Sequence, residues 1–166
     1  MANAYSAAMF YSIVYLLTTV GSFGVVMLLA RRDFEAETLD DFKGLNKRSP
    51  VFAFVMMAMM FSLAGIPPAV GFYAKLAVLE ATMHAGLTWL AVVAVITSIF
   101  GAFYYLRIVK LMYFDAPQDS TPIAGDASNR LLLIVNGLAV LVLGILPGPL
   151  MTLCLDAITH TLPLAL

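Results

Sequence analysis

One lysine inside an apolar stretch is the residue whose type and position could do chemistry. Lys75 lies in residues 62–80, SLAGIPPAVGFYAKLAVLE, about eight residues into a helix that is predicted to begin near Pro67. At about 1.5 Å per residue it would lie about 12 Å deep in a hydrocarbon core about 30 Å thick. Intramembrane charges face the protein interior or water and usually serve transport. Lys75 is therefore a candidate proton relay; the alternative is a lysine whose long stem reaches the headgroups.

Two further ionisable residues follow on the same predicted helix. Glu80 is five residues after Lys75, which places it about 140° around the helix axis, so the two do not form a natural ion pair within the helix. Glu80 and His84 are four apart and share a face. We consider Glu80 a second candidate for proton transfer, with an interfacial role as the alternative, and interpret His84 as interfacial.

Proline and glycine interrupt the chain just before the lysine. Pro67 and Pro68 cannot donate a backbone hydrogen bond and restrict φ, and Gly71 follows. Short apolar segments interrupted by Gly and Pro are typical of the discontinuous helices of transporters, where the freed backbone groups line an ion path. We predict that these three residues open the helix so that water reaches Lys75.

The composition is that of an integral membrane protein. Of the 166 residues, 62% are hydrophobic and 11% charged, whereas an ordinary soluble domain has about 25% charged residues. The net charge of -1, without a basic patch, argues against a nucleic-acid partner. Cys154 is the single cysteine, which excludes an internal disulfide and a cysteine-based metal site. No cofactor motif is present, so we expect neither a metal nor a cofactor in this chain.

The hydropathy pattern predicts an all-α fold, a polytopic membrane helix bundle with about five transmembrane helices, one of them broken by Pro and Gly. The whole chain, residues 1–166, is predicted to be one membrane domain, with an amphipathic helix in the charged loop at residues 36–44 that turns Phe34, Leu39 and Phe42 toward the membrane surface. A loop at residues 115–130 and a surface-lying terminal helix at residues 150–166 complete it. The predicted spans are residues 7–30, 50–66, 68–86, 87–106 and 131–154.

Three motifs resemble one family of membrane proteins. They are the run from Ser62 to Lys75, the sequence Tyr104-Tyr105-Leu106-Arg107, and Met112-Tyr113-Phe114. Together they resemble the subunit N family of proton-pumping NADH-quinone oxidoreductase (complex I) and, more loosely, the Mrp cation/proton antiporters. The likeness covers residues 5–149, most of this chain but only about a third of a family member.

The resemblance implies a role in proton transfer. Family members have about fourteen transmembrane helices in two inverted five-helix repeats, each holding a half-channel, and Lys75 matches the lysine of their broken helix. Glu80 and His84 match no motif of the family. The first repeat is absent here, which suggests a fragment without the first half-channel and without activity of its own.

The same resemblance implies the surroundings of the chain. Other membrane subunits of complex I and the lipid bilayer would be its partners in a cell inner membrane, which it would cross several times. NADH, FMN, iron-sulfur clusters and quinone would belong to other subunits. An Mrp-type antiporter subunit and a non-conducting structural fragment are the alternatives.

Overall fold

A computed structural model describes residues 2–30, 38–117 and 127–161, and every regular element in these ranges is a helix. The prediction of an all-α bundle is therefore confirmed. The elements are α1 (Ala2–Leu29), a 3-10 turn (Leu39–Phe42), α2 (Leu45–Arg48), α3 (Pro50–Ala64), α4 (Val70–His84), α5 (Thr88–Phe114), α6 (Ala127–Ile145) and α7 (Gly148–Thr161).

Three of the described helices are long and apolar enough to cross a membrane. They are Ala4–Leu29 within α1, Thr88–Phe114 and Ala127–Ile145, with mean hydropathies of 2.0, 1.9 and 1.8. About 20 apolar residues suffice for one crossing. The chain is thus a multi-pass membrane protein, as the composition indicates.

The helices α3 and α4 follow each other along α1. Ser62, near the end of α3, touches Thr18 in the middle of α1, whereas Glu80 of α4 shares a groove with Ser6 at the start of α1. The sequence interpretation of two separate spans at residues 50–66 and 68–86 is corrected by this arrangement. Each helix has 15 residues and is only about 22 Å long, shorter than a bilayer core. Together they make one discontinuous helix, interrupted by residues 65–69, which we call the first break.

A second discontinuous path runs beside it. Asn136 of α6 contacts the middle of α1 through Leu17, and Met151 of α7 lies in the groove beside Ser6. The predicted span at residues 131–154 instead begins at Ala127, ends at Ile145, and resumes as α7 after residues 146–147, the second break. The terminal helix predicted over residues 150–166 begins earlier, packs against α1 and buries Cys154; residues 162–166 lie outside the described ranges.

The charged loop is folded against the bundle. Instead of one amphipathic helix at residues 36–44, there are a 3-10 turn and α2, separated by Lys43 and Gly44; the φ of Gly44 is 65°. The Gly44 amide donates to the Leu111 carbonyl of α5 at 3.0 Å, and Phe42 is buried in the core rather than turned to the membrane surface. Phe34 and residues 36–37 of this prediction lie outside the described residues.

The fourth span is longer than predicted. Helix α5 continues past Leu106 to Phe114, so Arg107 and Lys110 lie within the helix rather than after it. Of the loop predicted at residues 115–130, residues 118–126 lie outside the described ranges and residues 127–130 already belong to α6.

The packed core lies among α1, α3, α4 and α6. Phe10, Met59 and Val140 are fully buried there. By contrast, only 6% of the most apolar stretch of α5 is buried, against 33% for α1. The centre of the bundle is therefore where the first break meets the middle of α1.

Candidate functional site

The end of α3 prepares the first break. Gly65 has a φ of 80°, a conformation that favours glycine, and its amide donates to the Phe61 carbonyl at 2.9 Å. The Ile66 amide donates to the same carbonyl at 2.8 Å. This C-terminal cap turns the chain away from the helix axis and leaves the carbonyl of Ala64 available to a donor from outside α3.

Lys75 supplies that donor. Its Nζ atom donates a hydrogen bond to the Ala64 carbonyl at 3.1 Å, and its side chain is half-buried. A Cβ atom on residue 65 would lie 2.9 Å from Cδ of the lysine, so the stem rests directly on Gly65. A cation at the C-terminus of a helix is favoured by the helix dipole, typically by about 0.3–1 kcal/mol. The sequence motif thus places an amine at the negative end of α3.

The break itself is closely packed. Gly71 touches the Ser62 carbonyl of α3 and Gly144 of α6 touches the Pro68 carbonyl, both so closely that a Cβ atom would overlap the backbone. The Gly71 amide also donates to Oγ of Ser62 at 3.1 Å. The Pro67-Pro68 peptide bond is cis. Of the predicted residues, Pro67 and Pro68 therefore lie within the interruption that precedes Lys75, and Gly71 lies in the first turn of α4.

A cleft of 220 Å³ adjoins Lys75. Such a volume holds several water molecules, provided that polar partners line it. Hydroxyl groups from three helices do so, on Tyr11, Tyr15, Thr18, Ser62, Thr97, Ser98 and Tyr105. A second cleft of 230 Å³ on the other side of the lysine is lined mainly by apolar side chains such as Phe72, Leu76 and Ile99. Lys75 therefore lies between a polar and an apolar cleft.

Glu80 and His84 lie elsewhere. Both are exposed, and they line a groove of 310 Å³ between α1, α4 and α7 with Ser6 and Thr152. Lys75 does not line this groove, in keeping with its position about 140° away on the helix. Asp156 and His160 are exposed on α7. Among the residues that the structure describes, no group of three His, Cys, Asp or Glu side chains could hold a metal ion.

None of the hydroxyl residues of the polar cleft was predicted from the sequence as a site residue. On α1 they occur at positions 11, 15 and 18, a spacing of four and three that places them on one face of a helix. On α5, Ser98 and Tyr105 are seven residues apart, which is about two helical turns. Polar residues at helical spacing in an otherwise apolar helix were the available signal.

Comparison with known proteins finds a matching family model and several similar relatives. Residues 1–101 match the family model described as NADH:quinone oxidoreductase/Mrp antiporter, TM. A protein of Paraburkholderia phymatum named NADH-quinone oxidoreductase subunit N is 84% identical over 163 residues, which cover 98% of this chain and 33% of the relative. The protein of that name from Thiobacillus denitrificans is 65% identical over 94% of this chain and 32% of its own length. The chain thus spans about a third of the curated relatives that it matches.

Solved structures show the same arrangement of helices. A chain of the respiratory complex I from Thermus thermophilus with bound aureothin superposes with a TM-score of 0.79 at 28% identity, over 89% of this chain and 34% of that one. A chain of the Mrp complex from Dietzia superposes with a TM-score of 0.77 at 21% identity, over 96% of this chain and 38% of that one, a likeness of fold alone.

Proposed function

This chain belongs to the NADH:quinone oxidoreductase/Mrp antiporter transmembrane family, and we propose that it is a proton-translocating part of subunit N of NADH-quinone oxidoreductase in which Lys75 relays protons. The observation that carries the proposal is the position of the lysine amine. It is bonded to the Ala64 carbonyl at the first break, beside a cleft lined by hydroxyl groups.

The geometry suggests two positions for the amine. As an ammonium it donates to Ala64 at the negative end of the α3 dipole. In the proposal, water in the polar cleft accepts the proton from the ammonium. The neutral amine then no longer gains from the α3 dipole, and its flexible stem can turn away from Ala64 into the cleft, where water can return a proton to it. A buried lysine lies between desolvation, which opposes its charge, and neighbouring dipoles, which favour it, and so can exchange a proton when charges elsewhere in a complex move. The break serves this exchange because its freed backbone groups interact with the amine.

We assign Glu80 a separate part in the proposal. Because it is exposed in the groove of α1, α4 and α7 and does not face the polar cleft, it is not the direct partner of Lys75. It would exchange protons with water at the far end of α4. The substitution Glu80→Gln tests this part, since it removes the charge while retaining the shape, and it should lower proton translocation less than a substitution of Lys75 does.

In the proposal, the rest of the proton path and the redox cofactors lie outside this chain. Because the chain covers about a third of its subunit N relatives, we place the first half-channel in the portion of those relatives that it does not cover, and expect no translocase activity from these residues alone. The partners would be other membrane subunits of complex I in the inner membrane, and NADH, FMN, iron-sulfur clusters and quinone would be held by other subunits.

An Mrp-type antiporter subunit is the competing function. Identities of 84% and 65% to proteins named subunit N, against 21% to the Mrp chain, favour the first proposal. Copurification separates the two, because only a complex I assignment predicts flavin and iron-sulfur subunits in the isolated complex.

The direct test replaces Lys75 in the full-length subunit within its assembled complex. In inverted membrane vesicles, Lys75→Ala should lower the protons translocated per electron about tenfold or more, the scale of a lost proton-transfer group. Lys75→Arg should lower it as well, because a guanidinium does not release its proton. The matched control is Lys110→Ala, which removes an exposed lysine of α5. Proton translocation that is unchanged in Lys75→Ala would refute the relay.

A further inference from the structure

Two buried hydroxyl groups lie beside the first break, and neither of them is hydrogen-bonded to Lys75. Thr18 of α1 is 1% exposed and Ser62 of α3 is 2% exposed. A hydroxyl that is buried without a hydrogen-bond partner is costly. The bonds that these two groups make are therefore part of what holds the break together.

The hydrogen-bond partners determine the direction of each bond. Oγ1 of Thr18 lies 2.8 Å from the Val14 carbonyl, which can only accept, so the hydroxyl proton of the threonine points there. Oγ of Ser62 lies 3.1 Å from Oγ1 of Thr18 and must be the donor of that bond.

With the third hydrogen bond, all the bonds in this series have the same donor-to-acceptor direction. The Gly71 amide donates to Oγ of Ser62 at 3.1 Å. Donation thus passes from Gly71 of α4 to Ser62 of α3, on to Thr18 of α1, and ends at a backbone carbonyl. Because this hydrogen-bond chain begins at a backbone amide and ends at a backbone carbonyl, neither of which exchanges protons readily, it has a structural role and does not conduct protons.

The backbone amide of Gly71 explains why this series of hydrogen bonds forms. It is among the first amides of α4, which have no acceptor within their own helix. A side chain at the preceding position normally caps them, but that position is Ala69, and no side-chain cap is formed from it. Ser62 supplies the missing acceptor from another helix.

We propose that Ser62 and Thr18 are positioning residues: Ser62 of α3 caps α4, Thr18 of α1 orients the Ser62 hydroxyl, and together they fix Lys75 against the Ala64 carbonyl. Lys75 lies about one turn beyond Gly71 on the same helix, so a displaced helix start would displace the amine as well. The link to proton transfer rests on the proposed function of Lys75, whereas the capping of α4 stands on the three hydrogen bonds alone.

Hydrogen exchange in the assembled complex with the full-length subunit tests the cap. In Ser62→Ala, amide exchange in a peptide that covers residues 66–76 should accelerate about 5- to 150-fold, the equivalent of leaving one buried donor without its acceptor. Ser98→Ala is the control, because Ser98 lines the same cleft but makes no hydrogen bond within the described part of the chain. Its exchange should match that of the unmodified complex.

A pair of substitutions at Thr18 separates hydrogen bonding from packing. Thr18→Val keeps the volume and removes the hydroxyl group, whereas Thr18→Ser keeps the hydroxyl group and removes a methyl group. We expect Thr18→Val to accelerate exchange and lower proton translocation, less than Ser62→Ala because the Gly71 amide still reaches Ser62. In Thr18→Ser, both hydrogen exchange and proton translocation should stay close to those of the unmodified complex. The two changes are small enough that the pair remains informative even if Ser62→Ala prevents assembly.

The outcomes distinguish this inference from the proposed function. Exchange in Ser62→Ala that equals exchange in Ser98→Ala would overturn the cap whatever Lys75 does, and so would a larger effect of Thr18→Ser than of Thr18→Val. If exchange accelerates as expected but Lys75→Ala pumps normally, the cap stands and the relay fails. If Lys75→Ala abolishes translocation while Ser62→Ala changes exchange without changing translocation, the relay stands and the positioning of Lys75 is refuted.

Discussion

The first and the second break have similar compositions and different surroundings. The first contains Pro67 and Pro68 and is followed by Gly71; the second, Leu146 and Pro147, is followed by Gly148 and Pro149. At the first, Gly71 and Gly144 touch backbone of neighbouring segments, while a Cβ atom added at Gly148 would meet no atom within 4 Å. Leu146 is 60% exposed. One break is thus enclosed by the bundle and the other is open.

The two breaks also differ in what is bonded to them. At the first, the Lys75 amine binds a helix carbonyl and the Ser62 hydroxyl accepts from a helix amide. At the second, backbone groups bond to each other, Leu146 to Val142 at 2.8 Å and Met151 to Pro147 at 3.1 Å. Proline and glycine interrupt a helix in both places. Only the packing of other helices around the interruption turns its polar groups into a site.

Substitutions of ionisable residues near the two breaks should differ most in their effect on proton translocation. Lys75 is bonded at the first, whereas Asp156, on the helix after the second, is exposed. Removing the relay with Lys75→Met should lower proton translocation per electron about tenfold or more, while Asp156→Asn should leave it within about twofold, because a solvated carboxylate contributes little to a distant group. Proton uptake by inverted vesicles measures both. Equal losses in the two variants would show that the breaks do not differ in function.

Added methyl groups should distinguish the enclosed break from the open one by stability. Gly144→Ala forces a Cβ atom onto the Pro68 carbonyl, and with backbone on both sides relief is limited, so we expect a loss of about 1–3 kcal/mol. Gly148→Ala meets open space and should change stability by less than about 0.5 kcal/mol. The midpoint of thermal unfolding of the subunit in detergent reports both changes. A tolerated Gly144→Ala would mean that the first break is not enclosed.

A pair of glycines with equal backbone strain isolates the contact with the lysine. Gly65 and Gly86 have φ values of 80° and 76°, so an alanine in either conformation costs about 1–2 kcal/mol. Only Gly65 touches Lys75; a Cβ atom at Gly86 meets no atom within 4 Å. We expect similar stability losses in Gly65→Ala and Gly86→Ala, but reduced proton translocation in the first alone. The thermal midpoint and proton translocation of both variants are measured in parallel. Equal proton translocation in the two variants would contradict this prediction.

The smallest expected effect concerns the link between the second path and α1. Nδ2 of Asn136 donates to the Leu17 carbonyl at 3.2 Å and ties α6 to α1. Such bonds between membrane helices average about 0.6 kcal/mol, so Asn136→Leu should lower the thermal midpoint slightly and leave pumping unchanged. A large loss of pumping in this variant would show that the second path takes part in transport.

Some features could be predicted from local sequence. The apolar composition indicates a membrane bundle, the Pro67-Pro68 pair indicates the interruption, and the lysine stands out because charge is rare in an apolar stretch. The spacing of Lys75 and Glu80 indicates that they face different sides of α4, and they line different clefts. These properties depend on residue type and on helix geometry over a few residues.

The sequence alone determined that a helix is broken just before a lysine, because missing amide donors and helical spacing act locally along the chain. Only the tertiary structure decided that α3 and α4 run in succession, that a cleft lined by hydroxyl-bearing residues adjoins the amine, and that the Pro147 break stays open. Those outcomes depend on contacts between residues far apart in the chain, such as Ser62 with Thr18 and Gly144 with Pro68. The relative position and rotation of whole helices set such contacts, and no short pattern records them.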